Sequence, residues 1–193
     1  MDVVATALRA WENFYVIIGS SAGALIGLQF VVMTLIKDSG GARSTREIDA
    51  FGTPTVIHFM AVLVVSLIQS APWPGIGSMR VTIGCCGVAG IVYVAIVIRR
   101  MRGQDGYQPV AEDWAWHAVL PLVAYLVLLG AAAMMHTGLS GSLFAVAASA
   151  LLLLSVGIHN AWDTVTYITA GGLQAGKGTE QAPASSDVSN QQG

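Results

Sequence analysis

The sequence predicts an all-α polytopic membrane protein, and three observations carry that reading: a composition nearly without charge, five long apolar blocks, and a one-sided distribution of lysine and arginine. Of 193 residues, 54% are hydrophobic and only 10% charged, whereas in water-soluble domains about a quarter are charged. The apolar residues gather at 14–36, 54–71, 81–98, 114–135 and 142–168. Crossing a hydrocarbon core of about 30 Å takes about 20 helical residues at about 1.5 Å each, so each block approaches or exceeds one span. Inside hydrocarbon the backbone must satisfy its own hydrogen bonds, and blocks this long, without two-residue alternation, do so as helices rather than barrel strands.

The first block follows Asp2 and a lone Arg9 rather than a basic region, and it is too long for a signal peptide, so it is read as a retained span. Gly19, Gly23 and Gly27 recur on it every four residues, with Ser20 and Thr34 nearby, forming a smooth groove. Lipid offers no hydrophobic force between helices, so close packing along such small residues is what brings helices together. The groove is expected to take either another helix of this chain or a second copy of it.

Thr53-Pro54 reads as cap and first-turn residue of the second helix. The second and third blocks are the shortest and are expected to stand nearly upright. The third carries Gly84, Gly87 and Gly90, an expected partner for the groove of the first. It also carries Cys85 and Cys86, adjacent on a helix, pointing about 100° apart and so read as apolar packers rather than a disulfide. Glu112-Asp113 puts negative charge at the start of the fourth helix, where the helix dipole favours it. Pro121 inside that helix has no N–H, so it frees the carbonyl of His117 and is expected to kink the helix. Pro72-Trp73-Pro74-Gly75 and Thr137-Gly138-Leu139-Ser140-Gly141 make tight connections, predicting two antiparallel hairpins, second with third and fourth with fifth. Residues 1–172 thus form one five-helix transmembrane domain, and 173–193, polar after Gly171-Gly172, are expected to be a disordered tail.

Lys37, Arg43, Arg46, Arg99, Arg100, Arg102 and Lys177 fall on one side of a five-span path, against Arg9 and Arg80 on the other. The positive-inside rule then places the N-terminus outside and the C-terminus in the cytoplasm. Aromatic residues agree, with Trp11, Tyr15 and Trp73 at the outer boundary and Trp114, Trp116, Trp162 and Tyr167 at the inner one. Net charge of −2 and the lack of any basic run argue against nucleic acid as a partner. The connections 37–53 and 99–113 are too short for a catalytic domain, and the chain is not read as an enzyme.

Polar residues collect near the cytoplasmic side. His58, His117 and His159 share a depth on three helices. Asp163 lies one turn from His159 on the same face, Asn160 flanks them, and Gln29 of the first helix reaches a similar layer. Ionisable groups at membrane depth are costly and by default face the protein interior, paired. Interfacial hydrogen bonding between helix ends explains the set without any function. Three further readings stay open: proton or ion passage, a metal site of three imidazoles and a carboxylate, and axial haem ligation. No local ligand spacing favours metal, and the cofactor is left unknown. His136 at the outer end of the fourth helix reads as a solvated boundary residue, and Glu12 and Asn13 at the outer start of the first as a favourable N-terminal charge and an interface polar group.

The strings His159-Asn160-Ala161-Trp162-Asp163-Thr164-Val165-Thr166, Gly23-Ala24-Leu25-Ile26-Gly27-Leu28-Gln29-Phe30-Val31, Ile57-His58-Phe59 and Ser70-Ala71-Pro72-Trp73 resemble small uncharacterised bacterial integral membrane proteins. The resemblance covers the membrane portion, excludes the tail, and implies a bacterial inner-membrane location with no activity attached. The functional expectation is a homo-oligomeric ion or proton channel or small transporter. The alternatives are a non-catalytic subunit or modulator acting through helix contacts, and a metal- or haem-binding protein. The partners expected are the lipid bilayer and further copies of the chain.

Overall fold

The computed structural model describes the backbone of residues 3–38, 45–102 and 111–180, and the side chains of 4–34, 54–102 and 111–166. Five helices make up the described chain: α1 (Val3–Asp38), α2 (Thr45–Ser70), α3 (Ile76–Arg102), α4 (Ala111–Met134) and α5 (Leu139–Glu180). There is no strand among the described residues. Within four of the helices, Val4–Thr34, Ile76–Arg102, Ala111–Met134 and Leu139–Thr166 are long and apolar enough to cross a membrane, while the apolar part of α2, Pro54–Ser70, is shorter.

The side chains that face away from the bundle fit a lipid surround. Val16, Ile17, Leu28, Phe30, Leu67, Val81 and Phe144 are all exposed, large apolar side chains spread over four helices. The described residues form an all-helical bundle with four helices long and apolar enough to cross a membrane.

Helix α2 starts at Thr45 and runs through Pro54, so the expected start at Thr53-Pro54 is wrong by about two turns. A proline interrupts a helix by withholding one N–H and crowding the carbonyl four residues back. Helix α2 nevertheless continues through Pro54 to Ser70. The side chain of Thr53 lies outside the described residues. Helix α5 runs on past Gly171-Gly172 to Glu180, and the remaining tail, 181–193, is outside the described residues, as is the side chain of Tyr167.

Both tight turns are present. After α2, the Trp73 indole N–H donates to the Ile68 carbonyl at 2.6 Å, occupying one of the acceptors that every helix C-terminus leaves open. After α4, the main-chain N–H groups of Thr137 and Gly138 and the Thr137 hydroxyl all donate to the Met134 carbonyl, at 3.0–3.1 Å.

Neighbours in sequence are not always the main neighbours in space. The packing order is α1, α2, α5, α4, α3, with α5 also reaching α1 and only light contact between α2 and α3. The α4/α5 hairpin is a packed pair, as expected. The α2/α3 turn instead joins two helices whose principal partners lie elsewhere.

Glycines decide these pairings. Gly19 of α1 is buried against Ser66 of α2, where a β-carbon would stand 2.8 Å from the serine β-carbon. Gly84, Gly87 and Gly90 of α3 receive Ala132, Leu129 and Tyr125 of α4, which corrects the expectation that they meet α1. Large side chains on α4 explain the difference, since the stripe on α3 is a socket for Leu129 and Tyr125. Gly157 of α5 similarly receives the Phe59 ring of α2. Ala22, Val62, Met79, Ile83, Ala124, Val146 and Leu153 fill the centre with no more than trace exposure.

Candidate functional site

Two ends of the bundle are distinguishable by their tryptophans. Trp11 of α1 packs edge-on against Phe144 of α5 at 4.7 Å, which marks one end together with Trp73. At the other end Trp116 of α4 stacks on the His159 ring of α5 at 3.7 Å, and the Arg102 guanidinium of α3 lies 5.8 Å from the Trp114 ring. The sequence-predicted polar residues belong to this Trp116 end, and the structure divides them into separate sets.

His58 is the most enclosed, 1% exposed and pointing between α3 and α4. Its Nδ1 is 3.2 Å from the Tyr125 hydroxyl, and the Tyr93 ring stands edge-on to it at 6.2 Å. The tyrosine hydroxyl can donate to or accept from the imidazole, according to the tautomer. His117 spends its Nδ1 on the Asp113 carbonyl of its own helix at 3.2 Å. His159 and Asp163 form the third set. Nε2 and Oδ2 are 2.9 Å apart, an ion-pair distance without the directionality of a hydrogen bond. Asp163 keeps half its side chain exposed, 51%, against 24% for His159. Among the described residues the partner of Asp163 is thus a histidine one turn away on its own helix.

Three buried amides carry polar atoms without a hydrogen-bond partner, Asn160, Gln29 and, through its Oε1, Gln69. Asn160 is 2% exposed and neither Oδ1 nor Nδ2 makes a hydrogen bond; Gln29 is 4% exposed and its Nε2 makes none. Buried polar groups are nearly always bonded, so these need a physical account. No three His, Cys, Asp or Glu side chains converge as a metal-ligand set among the described residues, and Cys85 and Cys86 are free thiols.

The backbone between these groups is irregular. Residues Ala115–Val119 of α4 form a π turn in which the Leu120 N–H bonds to the Ala115 carbonyl, five residues back. Pro121 follows at once. It has no N–H to give to Trp116 or His117, the two carbonyls it would reach in π or α register. The irregularity next to Pro121 is this widened turn, which carries both His117 and Trp116.

Several site residues escaped the sequence reading. Tyr93 and Tyr125 sit in mid-block, where neither is an interfacial anchor, and a hydroxyl so far from either boundary was the signal that a buried partner existed. At the opposite end Gln69 Nε2 donates to the Tyr15 hydroxyl at 3.1 Å, a buried α1/α2 tie, and Ser149 Oγ donates to the Ala124 carbonyl at 2.7 Å, joining α5 to α4. The expected groove of α1 divides as well. Gly19 is filled by α2, whereas a β-carbon at Gly23 or Gly27 would meet nothing within 4 Å.

No protein-family model, curated protein or solved structure matches the chain.

Proposed function

We propose that the chain is a five-span bacterial inner-membrane protein, N-terminus outside and C-terminus cytoplasmic, working as a small transporter or as one copy of a homo-oligomeric ion or proton channel. In this reading α2 is the fifth span, its short apolar part sheltered between α1 and α5. The resemblance to small bacterial membrane proteins supports the location, and the segregation of basic residues supports the orientation.

The observation that carries the functional reading is the enclosure of His58. A histidine held by Tyr125 in the interior of an apolar bundle is costly to place in a membrane, and such groups mark ion and proton pathways. Around it, His117 and the His159/Asp163 pair offer further protonatable groups toward the cytoplasmic end. Beyond it, Ala22, Val62 and Val146 have no exposure, so no water-wide passage lined by them runs through a single copy. Passage therefore requires the outer half to open, as in alternating access, or several copies to assemble.

That filled outer half also favours a second reading, a non-conducting subunit or modulator acting through helix contacts. The open Gly23–Gly27 strip is where such a contact would form. Reconstitution into liposomes carrying an internal pH-sensitive dye separates the two. A proton or ion flux that His58→Phe abolishes supports the first reading. No flux from protein that is monomeric in mild detergent leaves the second.

A further inference from the structure

The register between α4 and α5 is fixed by two contacts, Ser149 on the Ala124 carbonyl and the His159 ring on the Trp116 ring. Asn160 directly follows His159, so it lies within about one turn of Trp116 and His117 in depth. It also lies three helical turns from Ser149, on nearly the same azimuth of α5, and Ser149 faces α4. Asn160 therefore looks across at the π turn, where Pro121 leaves a carbonyl of the Trp116–His117 pair without a main-chain donor.

Asn160 Oδ1 and Nδ2 are unpartnered, and this register sets them at the level of the carbonyl from which Pro121 withholds its helical donor. Their chemistry selects the occupant. Of the three groups, two are acceptors and one is a donor. A cation would satisfy the oxygens and leave the N–H₂ group bare, and an anion would be repelled by both oxygens. A water molecule donates twice and accepts once, which is the complement of the set. In a membrane, irregular backbone persists only where protein or water satisfies it.

We propose that an internal water site lies between Asn160 of α5 and the Ala115–Val119 turn of α4. The water holds the π turn open and brings solvent into the bundle at the depth of His117. This holds whether the inner layer conducts, binds or only ties helices together, so it stands or falls separately from the transport reading.

The test is proton exchange between water and the micelle-solubilised, isotope-labelled protein by NMR, without any transport assay. Exchange peaks are expected at the Asn160 side-chain N–H₂ and at backbone amides 116–120, with none at the apolar outer half around Val127. In Asn160→Leu the backbone peaks should vanish, and in Pro121→Ala, which restores an N–H, they should weaken. If Asn160→Leu does not fold, the wild-type peaks and the Pro121→Ala comparison still decide. Absence of exchange at both Asn160 and 116–120 in the wild type overturns the proposal. So does a persistence of the backbone peaks in both variants.

Discussion

The Tyr125 ring of α4 lies directly on Gly90 of α3, and a β-carbon at position 90 would stand inside it. The same tyrosine presents its hydroxyl to the His58 imidazole. A missing side chain on one helix thus sets the height of a hydrogen bond between two others. Gly90→Ala should push the ring away, with an overpacking cost of about 1–3 kcal/mol. Thermal unfolding in detergent checks this against Gly130→Ala, where a β-carbon meets nothing and little change is expected.

The His58–Tyr125 bond itself should be measurable by a double-mutant cycle. Interhelical hydrogen bonds in membranes average about 0.6 kcal/mol and reach about 1.7, because the unfolded chain in lipid also finds partners. His58→Phe, Tyr125→Phe and the double variant should give a coupling in that range by unfolding in mixed micelles. A coupling near zero would mean that the two groups are buried side by side without bonding.

Much of the architecture was legible in the sequence for a simple reason. The all-helical character, the turn positions and the gathering of polar residues toward one end of the bundle all depend on where apolar runs begin and end, which a linear reading captures. Azimuth does not. Whether Gly84, Gly87 and Gly90 face α1 or α4 depends on which neighbour supplies a bulky knob, and Leu129 and Tyr125 could not be seen as that neighbour from spacing alone. The same limit explains why His58, His117 and the His159/Asp163 pair share a depth yet take different partners, a tyrosine, a backbone carbonyl and each other. The start of α2 was misread because Thr53-Pro54 was read as a cap and first turn, whereas the helix begins at Thr45 and runs through the proline.

Along α1, substitution should separate packing within the chain from packing between copies. Gly19→Leu places a side chain where Ser66 already stands, so α1 should unpack from α2 and the melting temperature should fall. Gly23→Leu enters open space and should leave the isolated fold as stable as wild type. Size-exclusion chromatography with light scattering reads the rest. If Gly23→Leu changes the oligomeric state while stability holds, the strip is a contact between copies; if neither moves, it faces lipid.

Orientation has a direct check. Reporter fusions after Gly193 should be active only when the reporter works in the cytoplasm, because the basic residues cluster on the side of the connections 37–53 and 99–113 and of the tail. Activity of a periplasm-specific reporter at that position would reverse the assignment and move the His58 layer to the outer leaflet.

Asp163 separates stability from function. It pairs with His159 within one helix, and half its side chain is exposed. Such pairs contribute about 0–1 kcal/mol when solvated, since water screens the attraction and two side chains must be held still. Asp163→Asn should therefore change the melting temperature little, and the Trp116–His159 stack at 3.7 Å should keep His159 in place. A carboxylate at the mouth of a proton or cation path, however, raises the local concentration of the species entering it. In liposomes, Asp163→Asn should then slow flux at low ionic strength and slow it less at high salt, where the field is screened over a shorter distance. Unchanged stability with unchanged flux would confine Asp163 to the helix surface, and His58 would have to carry the transport reading alone.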